Sequence, residues 1–408
     1  MKHPILHSIG LCALAAAGSA GAQSSVTLFG VMDASLSRYV VRSESWDGGP
    51  ARSVTQSQTA LSPSGNLASR IGIRATEDLG GGLSAGMWLE APVTNDTGGA
   101  SLNFGRRSTV SLTGGFGEVR LGRDHTPSFL SDWAFDPFTS NGVGLSLISV
   151  ISSNLAISRA LATQPTGGLT ERLLGGGLSA GTDNYLRASN TIGYHLPRGL
   201  GGVYGQAMYA FPENTTKRGR YVGARVGWAG GPTDVAVGYG ISTLGNASAP
   251  TGAEKIKSFN LGGSYNFGVA KVMAEWSDVR NVRTDAPTLT GITDRYRGLL
   301  AGVTIPVGEH MVRASWARVQ FKNGLNAGDS ATSKLALGYV HNLSKRTALY
   351  TTVSRISVSN GQNNPAVMAA TPRVVSSSVI QPQPNYITDG GMRPDGAIGF
   401  DLGLRMTF

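Results

Sequence analysis

Apolar residues fall at every second position through much of this chain, and the most regular run is its last. Over residues 398–408, Ile398, Phe400, Leu402, Leu404, Met406 and Phe408 alternate with Gly399, Asp401, Gly403, Arg405 and Thr407. Successive side chains of a strand point to opposite faces, so this segment is predicted to be a strand with one apolar and one polar face. Other segments repeat the pattern. Val222, Ala224, Val226 and Trp228 oppose Tyr221, Gly223, Arg225 and Gly227. Phe259, Leu261, Gly263, Tyr265 and Phe267 oppose Ser258, Asn260, Gly262, Ser264 and Asn266. Leu83, Ala85, Met87 and Leu89 oppose Ser84, Gly86 and Glu90. The segment 296–307 is less regular because of Leu300.

The connections between such runs are of two kinds, and they alternate. Seven are tight and rich in Gly, Pro or Asn, as at 80–82, 114–117, 197–199, 230–232, 268, 308 and 344–345. These have the chemistry of hairpin turns. Eight are longer and polar, near 41–65, 94–102, 125–183, 212–219, 245–255, 281–294, 322–331 and 359–396. Fifteen connections join sixteen strands, with short turns at one rim and long loops at the other. That is the signature of an all-β, sixteen-stranded antiparallel transmembrane β-barrel, whose strands face lipid on one side and a watery lumen on the other. Sixteen strands enclose an aqueous channel, whereas eight are filled by side chains. The competing fold is a secreted β-sandwich, which rarely ends on its most regular amphipathic strand.

Composition agrees with a barrel. The chain has 57 glycines and only 15% charged residues, and a mean hydropathy of −0.05. At the N-terminus, Lys2 and His3 precede the apolar run 5–17 and the small residues Gly18 to Ala22. This arrangement predicts a cleaved signal peptide over 1–22, leaving a single barrel domain over 23–408. The only cysteine, Cys12, lies inside that leader, so the mature chain is expected to have no disulfide and no thiolate chemistry.

Five segments in order resemble the trimeric general porins of Gram-negative bacteria, the β-proteobacterial branch in particular. They are Ser25 to Asp33, Ser69 to Leu83, Phe116 to Arg123, Phe135-Asp136-Pro137-Phe138, and the closing Gly403 to Phe408. The resemblance implies an outer-membrane homotrimer that passes small hydrophilic solutes by diffusion. It also implies that the long third loop folds into the lumen and narrows it. Two departures stand out. The third loop carries an apolar stretch over 143–157 where acidic residues are the family expectation, and the eighth, over 359–396, holds five prolines. The alternative is a structural or adhesive barrel whose pore is closed by the third loop.

Charge then points to selectivity. The mature chain has 34 Lys+Arg (35 less Lys2) against 25 Asp+Glu, a formal +9. A charge on the lipid face near mid-membrane costs about 2–4 kcal/mol, so Arg70 and Arg74, which share one strand face, are assigned to the lumen. Arg106 and Arg107 are adjacent, so one must point inward. The resemblance favours Arg106, and it places Arg123 in the same basic cluster. It sets Asp136, with Asp132 nearby, on the loop opposite these arginines. The six residues are the expected pore constriction, with small anions as the favoured ions. Arg120, Arg187, Arg225, Arg313 and Arg318 are assigned the plainer role of pairing with acids or meeting lipopolysaccharide phosphates outside the barrel.

Other signals carry little. Gly82 to Gly86 and Gly177 to Gly181 fit the nucleophile-elbow spacing of serine hydrolases, but Ser84 leads into a strand rather than a helix. The four mature histidines, His125, His195, His310 and His341, show no metal-ligand spacing. No catalytic constellation, cofactor or metal is expected. The basic residues form no run, so the chain is not read as a nucleic-acid binder.

Overall fold

The computed structural model describes residues 25–48, 50–98, 102–149, 185–212, 219–246, 249–282, 293–322, 328–363, 384, 386–387 and 390–408. The predicted leader lies outside them. The first strands are β1 (Ser25–Ser45), β2 (Ser53–Pro63), β3 (Arg70–Gly80), β4 (Leu83–Pro92), β5 (Arg107–Gly114) and β6 (Gly117–His125). The helix α1 (Pro127–Ala134) follows, and residues 147–149 are also helical. Next come β7 (Arg187–His195), β8 (Val203–Ala210), β9 (Tyr221–Gly230), β10 (Thr233–Asn246) and β11 (Ala249–Asn266). The chain closes with β12 (Lys271–Val282), β13 (Thr293–Val307), β14 (His310–Lys322), β15 (Ser330–Asn342), β16 (Thr347–Ser359) and β17 (Met392–Thr407). No helix among the described residues is long and apolar enough to cross a membrane.

All strands belong to one antiparallel sheet that closes on itself through β1 and β17, with Val31 opposite Thr407 and Val40 opposite Ile398. Closure leaves no long edge unpaired across the membrane, where free N–H and C=O groups would be costly. The wall has sixteen positions although seventeen segments are extended. β2 and β3 are two parts of one stave, pairing with the upper and lower parts of β1 respectively.

Between them, residues 64–69 leave the wall, and Asp33 holds them. Its carboxylate accepts the backbone N–H groups of Gly65 (3.2 Å), Asn66 (2.9 Å) and Leu67 (2.6 Å). The Tyr350 hydroxyl donates to the same carboxylate from across the closure. Ionised acceptors make the stronger hydrogen bonds, which suits a buried carboxylate to this role.

Two predicted loops are largely strand. The connection placed at 41–65 is only 46–52, because β1 runs to Ser45 and β2 begins at Ser53. That placed at 245–255 is also a hairpin, with Gly245 paired to Ala253. The sequence Ser-Val-Thr-Gln-Ser-Gln-Thr of β2 is polar on both faces, so it pairs its backbone without any hydrophobic period to reveal it.

The faces fall as predicted. Leu261, Trp276, Leu299, Leu335, Leu402 and Leu404 are all exposed, as lipid-facing residues must be when the barrel is viewed without its membrane. The opposite face meets the segment after β6. A Cβ at Gly262 would fall on the Phe135 ring, one at Gly302 on Pro137, and one at Gly298 on Ile148. The irregular Leu300 belongs to this inner face. It packs in a buried cluster with Tyr296, Val319, Phe321 and the loop residues Leu145, Leu147 and Ile148. The described part of the apolar stretch, 143–149, is therefore wall-packed; residues 150–157 lie outside the described residues.

Candidate functional site in the barrel lumen

Cross-strand register decides which side chains share the lumen on β3 to β6. Directly opposed residues lie on one face. Arg74 pairs with Thr27 on one side and with Trp88 on the other, and Trp88 pairs with Thr109. Gly72 pairs with Glu90, and Glu90 with Arg107. Ser111, on the same face of β5, pairs with Arg120. The inner wall here is thus a ladder of arginines with acids set among them.

Glu90 is the first centre. The Arg106 Nε donates to its Oε1 at 2.5 Å, and the Arg70 Nε stands 3.6 Å from the same oxygen. Arg187, buried at the start of β7, adds its charge to the field at Glu90. Asp124 is the second centre. The Arg120 Nη1 donates to it at 2.5 Å, and the Arg107 Nε lies 3.8 Å away. Arg120 also holds Glu118 at 2.8 Å. Trp88 forms a floor between the centres, with the Arg107 guanidinium 4.3 Å and the Arg74 guanidinium 5.9 Å from its ring. A cation over an indole face is attracted by the ring quadrupole. Arg123 donates to the Gly105 carbonyl (2.7 Å) and the Ser189 hydroxyl (2.8 Å), bracing β6 to its neighbours.

The guanidinium groups of Arg70, Arg74, Arg106, Arg107, Arg120 and Arg187 therefore outnumber the carboxylates of the same wall, those of Glu90, Glu118, Asp124 and, at its turn end, Asp78, with Arg123 bracing the wall beside them. This wall is net positive. Arg74 makes no ion pair among the described residues and is exposed.

The loop acids do not answer these arginines across the lumen, which corrects the expectation for Asp136 and Asp132. Asp136 turns into its own loop, accepting the backbone N–H groups of Phe138 (3.0 Å), Ser140 (2.9 Å) and Ser146 (2.8 Å). It is 1% exposed, and burial raises its pKa. The cations that act on it include Lys334 of β15 and Arg313 of β14. Asp132, on α1, accepts the Asn260 Nδ2 at 2.9 Å and the Ser149 hydroxyl at 3.4 Å, beside buried Glu275. Burial pushes the Asp132 carboxyl up to about 6.

The choice between Arg106 and Arg107 also dissolves. Arg107 faces inward from the β5 ladder, and Arg106, just before the strand, folds onto Glu90. Arg225 and Arg313 are inward too. Arg225 donates to the Ser131 hydroxyl at 2.9 Å, and the Arg313 guanidinium lies 4.7 Å from the Phe138 ring. Arg120 and Arg187 lie in the same basic wall, while Arg318 alone of that set is on the outer face. Sequence reasoning overlooked Asp33 and Asp401, whose one signal was a lone acid on the small, polar face of a strand.

A family model described as Gram-negative porin matches residues 10–361. Outer membrane porin protein 32 of Delftia acidovorans is 38% identical over 352 residues, covering 84% of this chain and 86% of that protein. An outer membrane porin protein of Bordetella pertussis is 26% identical, covering 82% of this chain and 89% of that protein. Among solved structures, an anion-selective porin from Comamonas acidovorans superposes with a TM-score of 0.69 at 31% identity, covering 95% of this chain and 100% of that one. OmpT of Vibrio cholerae shares the fold, with a TM-score of 0.60 at 15% identity.

Proposed function

The chain belongs to the Gram-negative porin family and resides in the outer membrane, and from that premise we propose that it is a passive diffusion channel preferring anions among small hydrophilic solutes. The observation that carries this reading is the imbalance on the β3–β7 wall. Arginines outnumber acids there, while Asp136 is occupied by backbone N–H groups of its own loop. A low-dielectric channel focuses the field of such a wall, raising the local concentration of anions over cations.

Arg70, Arg74, Arg106, Arg107 and Arg123 are the residues we assign to the narrow section, with α1 and residues 135–149 forming its other side. Asp132 and Asp136 serve there as anchors of the loop rather than as counter-charges. The protein is a channel and not an enzyme in this reading, and it needs no cofactor. It assembles as a homotrimer, in contact with outer-membrane lipid and lipopolysaccharide, after removal of residues 1–22. Anion selectivity of the Comamonas acidovorans porin supports the same assignment.

Planar-bilayer recording tests it. In a salt gradient the reversal potential is expected to take the sign of anion permeation. A cation-selective pore overturns the ionic assignment, and the absence of any conductance favours the structural or adhesive barrel instead.

A further inference from the structure

The helix α1 is inverted in character. Beside Phe129, its buried side chains are Ser128, Ser131 and Asp132, which hold it to the wall by hydrogen bonds. The Ser128 and Tyr221 hydroxyls lie 3.1 Å apart, and the Arg225 Nε donates to the Ser131 hydroxyl at 2.9 Å. The Asn260 Nδ2 donates to the Ser128 carbonyl (2.7 Å) and to Asp132 (2.9 Å). These partners stand on β9 and β11, and the helix rests against β8 to β11. The face turned from the wall is Leu130, Trp133 and Ala134, with Trp133 47% exposed. That is the i, i+3, i+4 spacing of a core-facing stripe. Here α1 lies inside the barrel, so the stripe borders the water of the lumen.

The charges around the stripe are one-sided. Over 126–149 the acids are Asp132 and Asp136 alone, and both are buried. The described part of the loop therefore turns no carboxylate to the lumen. On the wall of β3 to β6, Arg74 is exposed and makes no ion pair among the described residues. The two surfaces share one level. Arg74 stands six residues from Gly80, at the short turn of its hairpin. Gly262, against which the Phe135 ring lies, stands six residues from Gly268, at the short turn after β11. Trp133 precedes Phe135 by two residues. Along the closed sheet, β10 is six staves round from β4, so α1 lines the side of the lumen away from Arg74.

We propose that the lumen holds aromatic carboxylates in transit, with Arg74 taking the carboxylate and the Trp133 indole taking the ring. The guanidinium fork matches two carboxylate oxygens at once. An indole offers an aromatic ring an offset or edge-on partner and removes apolar surface from water. Other solutes satisfy only one side. A hydrated inorganic anion gains nothing from the stripe, an aliphatic carboxylate of two carbons leaves the indole uncovered, and an uncharged aromatic has no anchor on the arginines. The arginine wall thus selects the sign of the charge, and α1 selects the body that carries it. The inference rests on the anion-channel reading and names a solute class for the same lumen.

The test is planar-bilayer recording of the folded full-length barrel, with chloride carrying the current and benzoate, acetate and benzyl alcohol as probes. Benzoate is expected to interrupt the chloride current at concentrations about fivefold lower than acetate, the order an added aromatic contact supplies. Benzyl alcohol should leave the current unchanged. Trp133→Ala is expected to bring benzoate to the level of acetate, and Trp133→Phe to keep most of the difference. Chloride conductance and reversal potential should stay at wild-type values in both variants, since Trp133 is exposed and bears no charge. Saturation-transfer NMR with benzoate on the barrel in detergent reads the same contact without any current, and Trp133→Ala should weaken its signal about threefold or more. An anion-selective wild type that treats benzoate and acetate alike overturns the proposal and leaves the channel reading standing. Undiminished action of benzoate on Trp133→Ala, by either measurement, overturns it too. A wild-type pore that favours cations overturns the channel reading and this inference together.

Discussion

The carboxylate of Asp401, on the closing strand, accepts the backbone N–H of Val143, in the loop after α1, at 2.9 Å. The two residues are 258 positions apart in sequence, so the contact forms only when the barrel has closed. The same carboxylate accepts the Ser37 hydroxyl at 2.6 Å, which ties the loop to the seam between β1 and β17. Loop position and barrel closure are thereby one event.

Replacing Asp401 with alanine should release the loop. A buried charge-assisted hydrogen bond contributes about 1.5–3 kcal/mol, and two depend on this side chain. The expected result is a lower denaturant midpoint together with noisier single-channel currents. An Asp401→Ala channel as quiet as wild type would show that the loop is held elsewhere.

Gly262 tests how closely the loop lies on the wall. A Cβ there would stand 2.1 Å from the Phe135 ring, so alanine forces the ring, and the loop with it, toward the lumen axis. Overpacking of this kind costs about 1–3 kcal/mol. Gly262→Ala is expected to reduce single-channel conductance, whereas Gly263→Ala, on the lipid-facing side, should leave it unchanged. Equal conductances would refute the packing argument.

Arg74 is the exposed cation above Trp88, so its removal should be felt by passing ions more than by the fold. A unit charge ~6 Å from an ion in water-like dielectric changes its energy by roughly 0.7 kcal/mol, about threefold in local concentration. Arg74→Ala is expected to reduce the anion-to-cation permeability ratio by that order at low salt. The effect should fade as the screening length falls from about 10 Å at 0.1 M to about 3 Å at 1 M. Reversal potentials at the two salt levels decide it, and a ratio unchanged at 0.1 M removes Arg74 from the selectivity-determining set.

Glu90 behaves differently because it is shared by Arg106 and Arg70. Glu90→Gln leaves both cations without their carboxylate, and breaking a buried pair on one side costs about 3–5 kcal/mol. The variant should fold less stably, yet conduct with a stronger anion preference because the wall gains one net positive charge. Loss of anion preference in a correctly folded Glu90→Gln barrel would contradict the assignment of this wall.

Asp132 makes stability depend on pH. Its carboxyl is raised by burial to about 6 from an ordinary 3.8. Between roughly pH 4 and 6 the folded protein keeps a proton that the unfolded chain has released. Stability therefore falls as pH rises through that window. Asp132→Asn cannot ionise and should show a flatter profile. Urea midpoints of wild type and variant from pH 4 to 7 provide the comparison, and parallel profiles would remove Asp132 as the source.

By itself, the order of residues determined the barrel. Alternation over two residues is a local property, so Ile398 to Phe408, Val222 to Trp228 and Phe259 to Phe267 announce their faces without help from the rest of the chain. The spacing of Gly-rich turns sets the strand number in the same local way. The inward direction of Arg70 and Arg74 followed from the cost of a charge in lipid. Tertiary structure alone decided the partners. Asp136 was expected to face arginines, but three nearby N–H groups outcompete a distant guanidinium once the loop turns back on itself. Arg106 and Arg107 both reach the lumen because one precedes the strand and escapes its alternation. Leu300 looked misplaced until the loop residues Leu147 and Ile148 arrived to cover it. Polar strands such as β2 stayed hidden because pairing of backbone groups leaves no trace in hydrophobicity. The periodicity of a barrel is written residue by residue, whereas the choice among competing hydrogen-bond and charge partners depends on distances that exist only after closure.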